Sequence, residues 1–230
     1  MYFQHSADIW RDFPTLVPGV LLVDGVSPEA PVRDRVAALY ESADARLAAG
    51  AEGEMPEIQA WRRTFSKMGL KPTQYRCASE SLLRRYRKER SLPEIHPLID
   101  LCNAVSLAFA VPIAVFDLAK VTEHLEVRYA RGTESYLTFS GETEIAPEGE
   151  VVFADAADQA HARRWTNRQS GLSSIQPGTG SALIVTEALH DTAPADVERL
   201  LETLTRELSA LWTVESKPAV LSAAAPRFEF

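Results

Sequence analysis

Hydrophobic side chains recur at helical spacing through the first half of the chain. Apolar residues repeat every three or four positions after Ser27, after Pro56, within Ser79 to Lys88 and from Leu98 to Phe109. This spacing predicts four helices, each with one apolar face. The same pattern returns near the C-terminus and predicts a fifth helix over Asp196 to Trp212.

From Pro112 onward the apolar period changes to two, which is typical of strands. Strands are predicted at Ile113 to Asp117, Leu125 to Ala130, Tyr136 to Phe139, Val151 to Ala154, Ala160 to Thr166 and Ala182 to Glu187, with an earlier one at Val17 to Val23. Helices followed by strands predict an α/β (α+β) fold, a mixed sheet or β-sandwich with flanking helices. We expect one domain over residues 1–230, with its core at about 15–215 and a loose tail over 217–230.

Composition narrows the class of protein. The chain has 230 residues, 46% hydrophobic and 24% charged, which suits a globular domain and excludes general disorder. No apolar run is long enough to span a membrane, and the N-terminus has no basic region before an apolar stretch, so a cytoplasmic location is expected. Two cysteines without a CxxC motif and five histidines without ligand spacing predict no metal. No phosphate-binding GxxxxGK[ST] loop is present, and no cofactor is expected.

Charge is distributed unevenly. The net charge is −8, yet residues 62–90 hold ten basic and two acidic side chains. Such a basic patch on an acidic body can bind a polyanion; a solvated helix face is the alternative. The candidate contacts to RNA are Arg62, Arg63, Lys71, Arg76, Arg84, Arg85, Arg87 and Lys88, together with Arg164.

Two further segments carry polar groups that need partners. Asp100, Asn103 and Ser106 form one stripe on an otherwise apolar helix, so they require other side chains or a ligand. The segment 161–171, HARRWTNRQSG, holds three arginines, an indole and two amides but no acid. This set suits a phosphate, a carboxylate or a stacked base; pairing of the arginines with distant glutamates is the alternative.

The order of short motifs resembles a known family. Trp61-Arg62, Gly69-Leu70-Lys71-Pro72, Tyr75-Arg76 and Leu82-Leu83-Arg84-Arg85 are followed by Leu98-Ile99-Asp100-Leu101-Cys102-Asn103, Val111-Pro112-Ile113-Ala114-Val115-Phe116-Asp117, Asp155 and Arg163 to Ser170. Over roughly residues 15–215 this resembles the B3/B4 domain, the editing module of the phenylalanyl-tRNA synthetase beta subunit, and more closely the free-standing proteins of that type.

The resemblance implies a layered α/β fold with a β-sandwich, and an activity that hydrolyses tyrosine wrongly attached to the phenylalanine tRNA. Nothing resembles the aminoacylation core of the synthetase, so the chain is not expected to be a tRNA ligase. Asp100 and Asn103 match the family's Val-Asp-x-Thr-Asn pattern. Ala114 stands at the position of the family's pocket histidine, and Arg168 or Gln169 stands near that of its pocket glutamate. Tyrosine specificity is therefore not carried over.

Two functions remain open. One is a trans-acting deacylase that hydrolyses a mischarged aminoacyl-tRNA, with Asp100, Asn103, Asn167, Arg168 and Gln169 as its catalytic set. In this reading Asp100 faces the turn at 167–169, holding the ammonium group while Arg168 and Gln169 polarise the carbonyl. The other is a non-catalytic module that binds tRNA or a free amino acid. The expected partner is an aminoacylated tRNA, with a free amino acid as a further candidate.

Overall fold

The computed structural model describes residues 1–212 and 216–230. Its helices are α1 Ala7–Asp12, α2 Arg33–Ala49, α3 Pro56–Lys67, α4 Ala78–Glu89, α5 Pro97–Phe109 and α6 Ala193–Leu211. Its strands are β1 Tyr2–His5, β2 Val17–Asp24, β3 Ile113–Asp117, β4 His124–Tyr129, β5 Ser135–Leu137, β6 Thr143–Ile145, β7 Val151–Asp155, β8 Ala160–Arg163, β9 Arg168–Gln169, β10 Ser181–Ala188, β11 Ser216–Val220 and β12 Arg227–Glu229. This is an α/β fold with mixed sheets and flanking helices.

Two sheets carry the architecture. The larger has strand order β12-β1-β4-β7-β8-β9, in which β1 and β4 are parallel and the remaining pairs are antiparallel. The smaller has order β11-β2-β10-β3 and is wholly antiparallel. Strands β5 and β6 form a separate hairpin.

Alternation along β10 divides the core into two layers. Leu183 and Val185 belong to a cluster with Phe153 and Ala162 of the larger sheet, so this layer lies between the two sheets. Ile184 belongs instead to a second cluster that includes side chains of α5 and α6. The smaller sheet therefore separates α6, and α5 except for Leu107, from the interior between the sheets.

Close packing of α6 on the smaller sheet explains why residue 19 is a glycine. A Cβ atom at Gly19 of β2 would lie 2.7 Å from Val197 Cγ1 and 2.8 Å from Thr186 Cγ2. No real side chain fits at such distances, so the absence of a side chain at this position lets the helix approach the strand.

The predicted fold class is confirmed, whereas two predicted elements need correction. The strand predicted over Ala160 to Thr166 ends at Arg163, because Arg164 and Trp165 have left-handed φ angles of 49° and 57° that break the ladder. The loose tail predicted for residues 217–230 is wrong, since β11 pairs with β2 and β12 pairs with β1. Backbone hydrogen bonds to existing strands order that tail.

A buried acid at the end of β7 makes the fold sensitive to acid. Asp155 accepts the N–H groups of Thr122, Ala157 and Gln159 at 2.9–3.0 Å, and its Oδ2 lies 3.2 Å from His161 Nε2. Burial raises the pKa of Asp155, but the His161 imidazole and these N–H groups outweigh burial and hold the pKa at about 2, below its usual 3.8.

We therefore expect stability to fall as the pH drops from about 4 to 2. A carboxyl with a depressed folded-state pKa stabilises the fold above its unfolded pKa and loses that contribution as it protonates, here about 2 kcal/mol. Urea unfolding of the wild type and of Asp155→Asn across this range measures it. The variant should be less stable at pH 6 and should show a flatter pH dependence; parallel curves would contradict this assignment.

Candidate functional site

A small pocket lies between the two sheets. Its volume is about 50 Å³, room for roughly four water molecules at 10–15 Å³ each. Strands from both sheets and the turn after β8 line it: Ala78, Pro112 to Ala114, Phe153, Ala162, Trp165 to Gln169, Val185 and Glu187. Ala114 and the predicted residues Asn167, Arg168 and Gln169 are thus brought together here.

Glu187 places a carboxylate in this pocket. It is only 2% exposed, and its Oε1 accepts hydrogen bonds from His5 Nε2 at 2.6 Å and Trp165 Nε1 at 2.9 Å. Its Oε2 accepts no hydrogen bond from any residue that the structure describes. The result is a buried, oriented carboxylate with one oxygen free to hold water or an ammonium group. Glu187 is not among the site residues predicted from the sequence, although an acid inside the apolar run ALIVTEAL is a signal for it.

Trp165 holds the turn in place against both sheets. Its indole is fully buried and makes edge contacts with Trp61 and Phe13, at ring-centroid distances of 5.1 and 4.8 Å. Its backbone N–H donates to the Val151 carbonyl at 2.8 Å. This packing maintains two consecutive left-handed residues, a conformation that costs on the order of 1–3 kcal/mol each and that clusters at functional sites.

The same turn is bonded to the start of α4. The Ala78 N–H donates to the Thr166 carbonyl at 2.8 Å, and Asn167 Nδ2 donates to the Arg76 carbonyl at 2.7 Å. Gln169 Nε2 donates to the Val115 carbonyl at 2.5 Å, which fixes this amide against β3. The pocket rim is therefore rigidly joined to the segment that carries the basic residues.

The three arginines near the turn find acids that are distant in sequence. Arg163 pairs with Glu150 at 2.7 Å and with Glu144, and Arg168 lies 3.4 Å from Glu144. Arg164 lies 3.5 Å from Glu150, with its guanidinium 4.9 Å from the centre of the Tyr75 ring. Arginine–glutamate pairing, the alternative for this segment, is thus present, and Arg168 is a half-exposed paired cation at the pocket edge.

Asp100 does not face the turn at 167–169, which corrects that part of the predicted site. The neighbours of Asp100 on α5, Leu101 and Cys102, pack on the outer face of the smaller sheet, whereas the turn lines the interior between the sheets. Asp100 and Asn103 line a different groove. The helical period places both on one stripe, but only the sheet topology decides which side of the sheet that stripe lies on.

Two buried glutamates organise the basic patch. Glu80 lies 2.6 Å from Arg62 and 3.3 Å from Arg76. A second glutamate, Glu52, lies 3.1 Å from Arg84 and 2.7 Å from Arg87. Each carboxylate thus holds two guanidiniums, leaving one positive charge per trio and further N–H groups available for other acceptors.

The remaining predicted RNA contacts are exposed. Arg85 pairs with Glu89 of its own helix at 2.8 Å. Arg63, Lys71 and Lys88 have no ion-pair partner within residues 1–212 and 216–230, and all three side chains are exposed. We call the surface formed by these residues and the two arginine–glutamate trios the basic face. It spans α3, α4 and the loop between them, and carries net positive charge.

One cluster of potential metal ligands is already neutralised. Ligand atoms of Glu57, His190 and Asp196 lie within 4.8 Å of one another. However, Glu57 pairs with Arg46 at 2.5 Å, and Asp196 pairs with Arg199. The guanidiniums compensate both carboxylates, so this cluster has no charge deficit that calls for a cation.

None of the helices described is long and apolar enough to cross a membrane.

The curated proteins that this chain resembles are phenylalanine–tRNA ligase beta subunits. The chain is 35% identical over 97 residues to the phenylalanine–tRNA ligase beta subunit of Coxiella burnetii, which covers 42% of this chain and 11% of that protein. It is 24% identical over 116 residues to the Haemophilus influenzae subunit of the same name (strain ATCC 51907), covering 50% of this chain and 14% of that protein. The chain therefore corresponds to a small part of these relatives.

A solved structure and a family model were also matched. An N-terminal fragment of the phenylalanyl-tRNA synthetase beta subunit from Pyrococcus horikoshii aligns with a TM-score of 0.49 at 10% identity, covering 93% of this chain and 49% of that one. The model of the B3/4 domain matches residues 60–225. Because this match includes well over half of the residues, the chain belongs to the B3/4 domain family.

Proposed function

We propose that this protein is a hydrolase that deacylates a mischarged aminoacyl-tRNA in trans. The observation that carries the proposal is the direct connection between the Glu187 pocket and the basic face. Two hydrogen bonds join the pocket turn at Thr166 and Asn167 to Arg76 and Ala78. An RNA backbone lying on the basic face would bring an attached ester to the pocket rim.

In this proposal Glu187 acts as the general base. Its free oxygen takes a proton from a water molecule in the pocket, and the water oxygen forms a bond to the ester carbonyl carbon. The carbon–oxygen bond to the ribose then breaks, and the proton passes to the departing ribose oxygen. The products are the free amino acid and the tRNA with its hydroxyl restored. A buried carboxylate is suited to general-base chemistry because a low dielectric strengthens its interaction with the water proton.

The proposal includes a preference for a small side chain on the amino acid that is attached to the tRNA. The pocket of about 50 Å³ accommodates a group of a few heavy atoms rather than an aromatic ring. Ala114 contributes only a methyl group to the wall, and the larger side chains of Trp165 and Phe153 also line the pocket. Selection by exclusion of larger side chains follows from this lining.

A non-catalytic tRNA-binding or amino-acid-binding module is the second candidate. Its supporting observation is that Arg168, a basic residue that lines the pocket, is paired with Glu144 and so is partly neutralised as an electrophilic group. Rates of deacylation for a panel of tRNAs carrying correct and incorrect amino acids separate the two. Binding of tRNA without acceleration above spontaneous decay for every member of the panel would favour the module.

Filling the pocket is expected to block hydrolysis without unfolding the protein. Ala114→Val adds two methyl groups to a half-buried wall position, which takes up space that the substrate side chain needs. We expect at least a tenfold loss in the deacylation rate for the substrate found in the panel, because steric exclusion near the reacting ester misplaces it. The exposed Ala119→Val is the matched control. Equal rates for the two variants would remove this pocket from the proposal.

A further inference from the structure

A second and much larger concavity lies on the outer side of the smaller sheet. It is a groove of about 560 Å³ between α2, α5 and the segment 91–97, a volume within the range of small-molecule sites. None of the residues that line it also lines the Glu187 pocket. The editing chemistry proposed above therefore makes no use of it.

Part of the groove wall is apolar and stiff, and the charged residues Arg33 and Glu94 that also line it pair with each other at 3.2 Å. Pro28, Pro31, Pro93 and Pro97 line it together with Val36. Because proline fixes its own φ angle, these segments lose little further freedom when a ligand binds. A preformed apolar wall of this kind favours a ligand with a hydrocarbon body.

Asp100 supplies an acceptor with no cation attached. Its Oδ1 accepts the Ile95 N–H at 2.9 Å, and no lysine, arginine or histidine in the described part of the chain forms an ion pair with it. Burial raises the pKa of this carboxyl, which reflects the cost of holding an uncompensated charge there. A bound cation would offset that cost.

His96 supplies a donor with no acceptor. Its Nδ1 accepts the Leu98 N–H at 3.2 Å, so in the neutral ring Nε2 carries the proton. Burial lowers the pKa of His96, which favours the neutral ring at pH 7. The residue is 5% exposed, lines the groove, and its Nε2 has no hydrogen-bond partner among the described residues.

We propose that this groove is a ligand site for a small organic amine with an apolar body and a nearby oxygen acceptor. The ammonium group pairs with Asp100, the oxygen accepts the Nε2–H of His96, and the hydrocarbon body lies against the prolines and the Tyr40 ring. Each of these three groups of the ligand, the ammonium, the oxygen and the hydrocarbon body, thus has its own partner in the groove. An α-amino amide is the simplest compound that has all three.

Calorimetric titration with L-leucinamide tests the proposal, with N-acetyl-L-leucinamide as the probe that lacks the ammonium charge. We expect saturable binding of the first, at least tenfold weaker binding of the second, and amide NMR shifts confined to residues 91–103 and α2. Equal affinity for the acetylated probe, or no binding at 10 mM, would overturn the proposal.

Substitutions in and outside the groove test whether leucinamide binds there. Asp100→Asn is expected to weaken leucinamide binding at least tenfold, while Glu202→Gln, which removes one charge from the exposed surface of α6, leaves it unchanged. Because burial raises the Asp100 pKa, holding the charge there costs the folded state free energy, and the asparagine variant should melt no lower than the wild type at pH 7. Val36→Trp, which fills the groove, provides a second test through steric exclusion. Undiminished affinity in both Asp100→Asn and Val36→Trp would place the binding elsewhere.

Discussion

Replacing Glu187 by glutamine is expected to lower the deacylation rate by about 10²- to 10⁴-fold, the usual contribution of a general base. The amide has the shape of the carboxylate, and its oxygen can still accept the hydrogen bonds from His5 and Trp165. Its NH₂ group then faces the pocket in place of the free oxygen and cannot accept a proton. The measurement is the single-turnover rate with the substrate identified in the panel.

The controls for this variant separate chemistry from folding and from RNA binding. Glu187→Gln should bind tRNA as the wild type does, because Glu187 is buried and is not one of the residues of the basic face. His5→Gln retains a donor near Glu187 but with altered geometry, so an intermediate loss of rate is expected. A wild-type rate in Glu187→Gln, with folding confirmed by circular dichroism, is the result that excludes Glu187 as the base.

The second large effect that we expect is a loss of tRNA affinity when positive charges are removed from the basic face. Changing Arg63, Lys71 and Lys88 together to glutamine removes three exposed positive charges that have no ion-pair partner in the described residues. If each contacts one phosphate, the log–log salt slope of tRNA binding becomes flatter by about 2 to 3, and the affinity falls at least tenfold at low salt. Filter binding or fluorescence anisotropy across a salt series gives both quantities.

These three positions are better targets than the arginines of α4. Arg84 and Arg87 hold the buried carboxylate of Glu52, and their reversal would leave that carboxylate without a partner and destabilise the fold. The matched control changes three exposed basic residues elsewhere, Lys120, Arg131 and Lys217, to glutamine. If both triple variants bind alike, the affinity reflects total charge, and the basic face has no specific role.

Periodicity was sufficient to predict the elements that have one strong apolar face or a wholly buried run. The strand at Ile113–Asp117 and the helix ending at Phe109 have the expected bounds within one residue. Strand β1 was not predicted, because four residues are too few to show a detectable alternation of apolar and polar side chains. It is stable only through pairing with β4 and β12, which are far from it in sequence.

The candidate site was predictable only where its residues are adjacent in sequence. The turn at Asn167 to Gln169 was identified from its polar side chains, and it does line the pocket. Its partners were not predictable, since Glu144 and Glu187 reach it through the hairpin β5–β6 and through β10. The placement of Asp100 on the other side of the smaller sheet likewise depends on topology, which helical spacing does not encode.

The two ends of the described chain lie side by side, since the Met1 ammonium donates to the Phe230 carbonyl at 2.7 Å. A short peptide linker could therefore join them without displacing a strand, and a cut at the exposed Gly141 turn would produce a circular permutant. In that permutant β12 would lead directly into β1, so the strand carrying His5 would be tethered covalently at both of its ends. Fraying of β1 would disconnect His5 from Glu187, and such a tether would oppose that fraying.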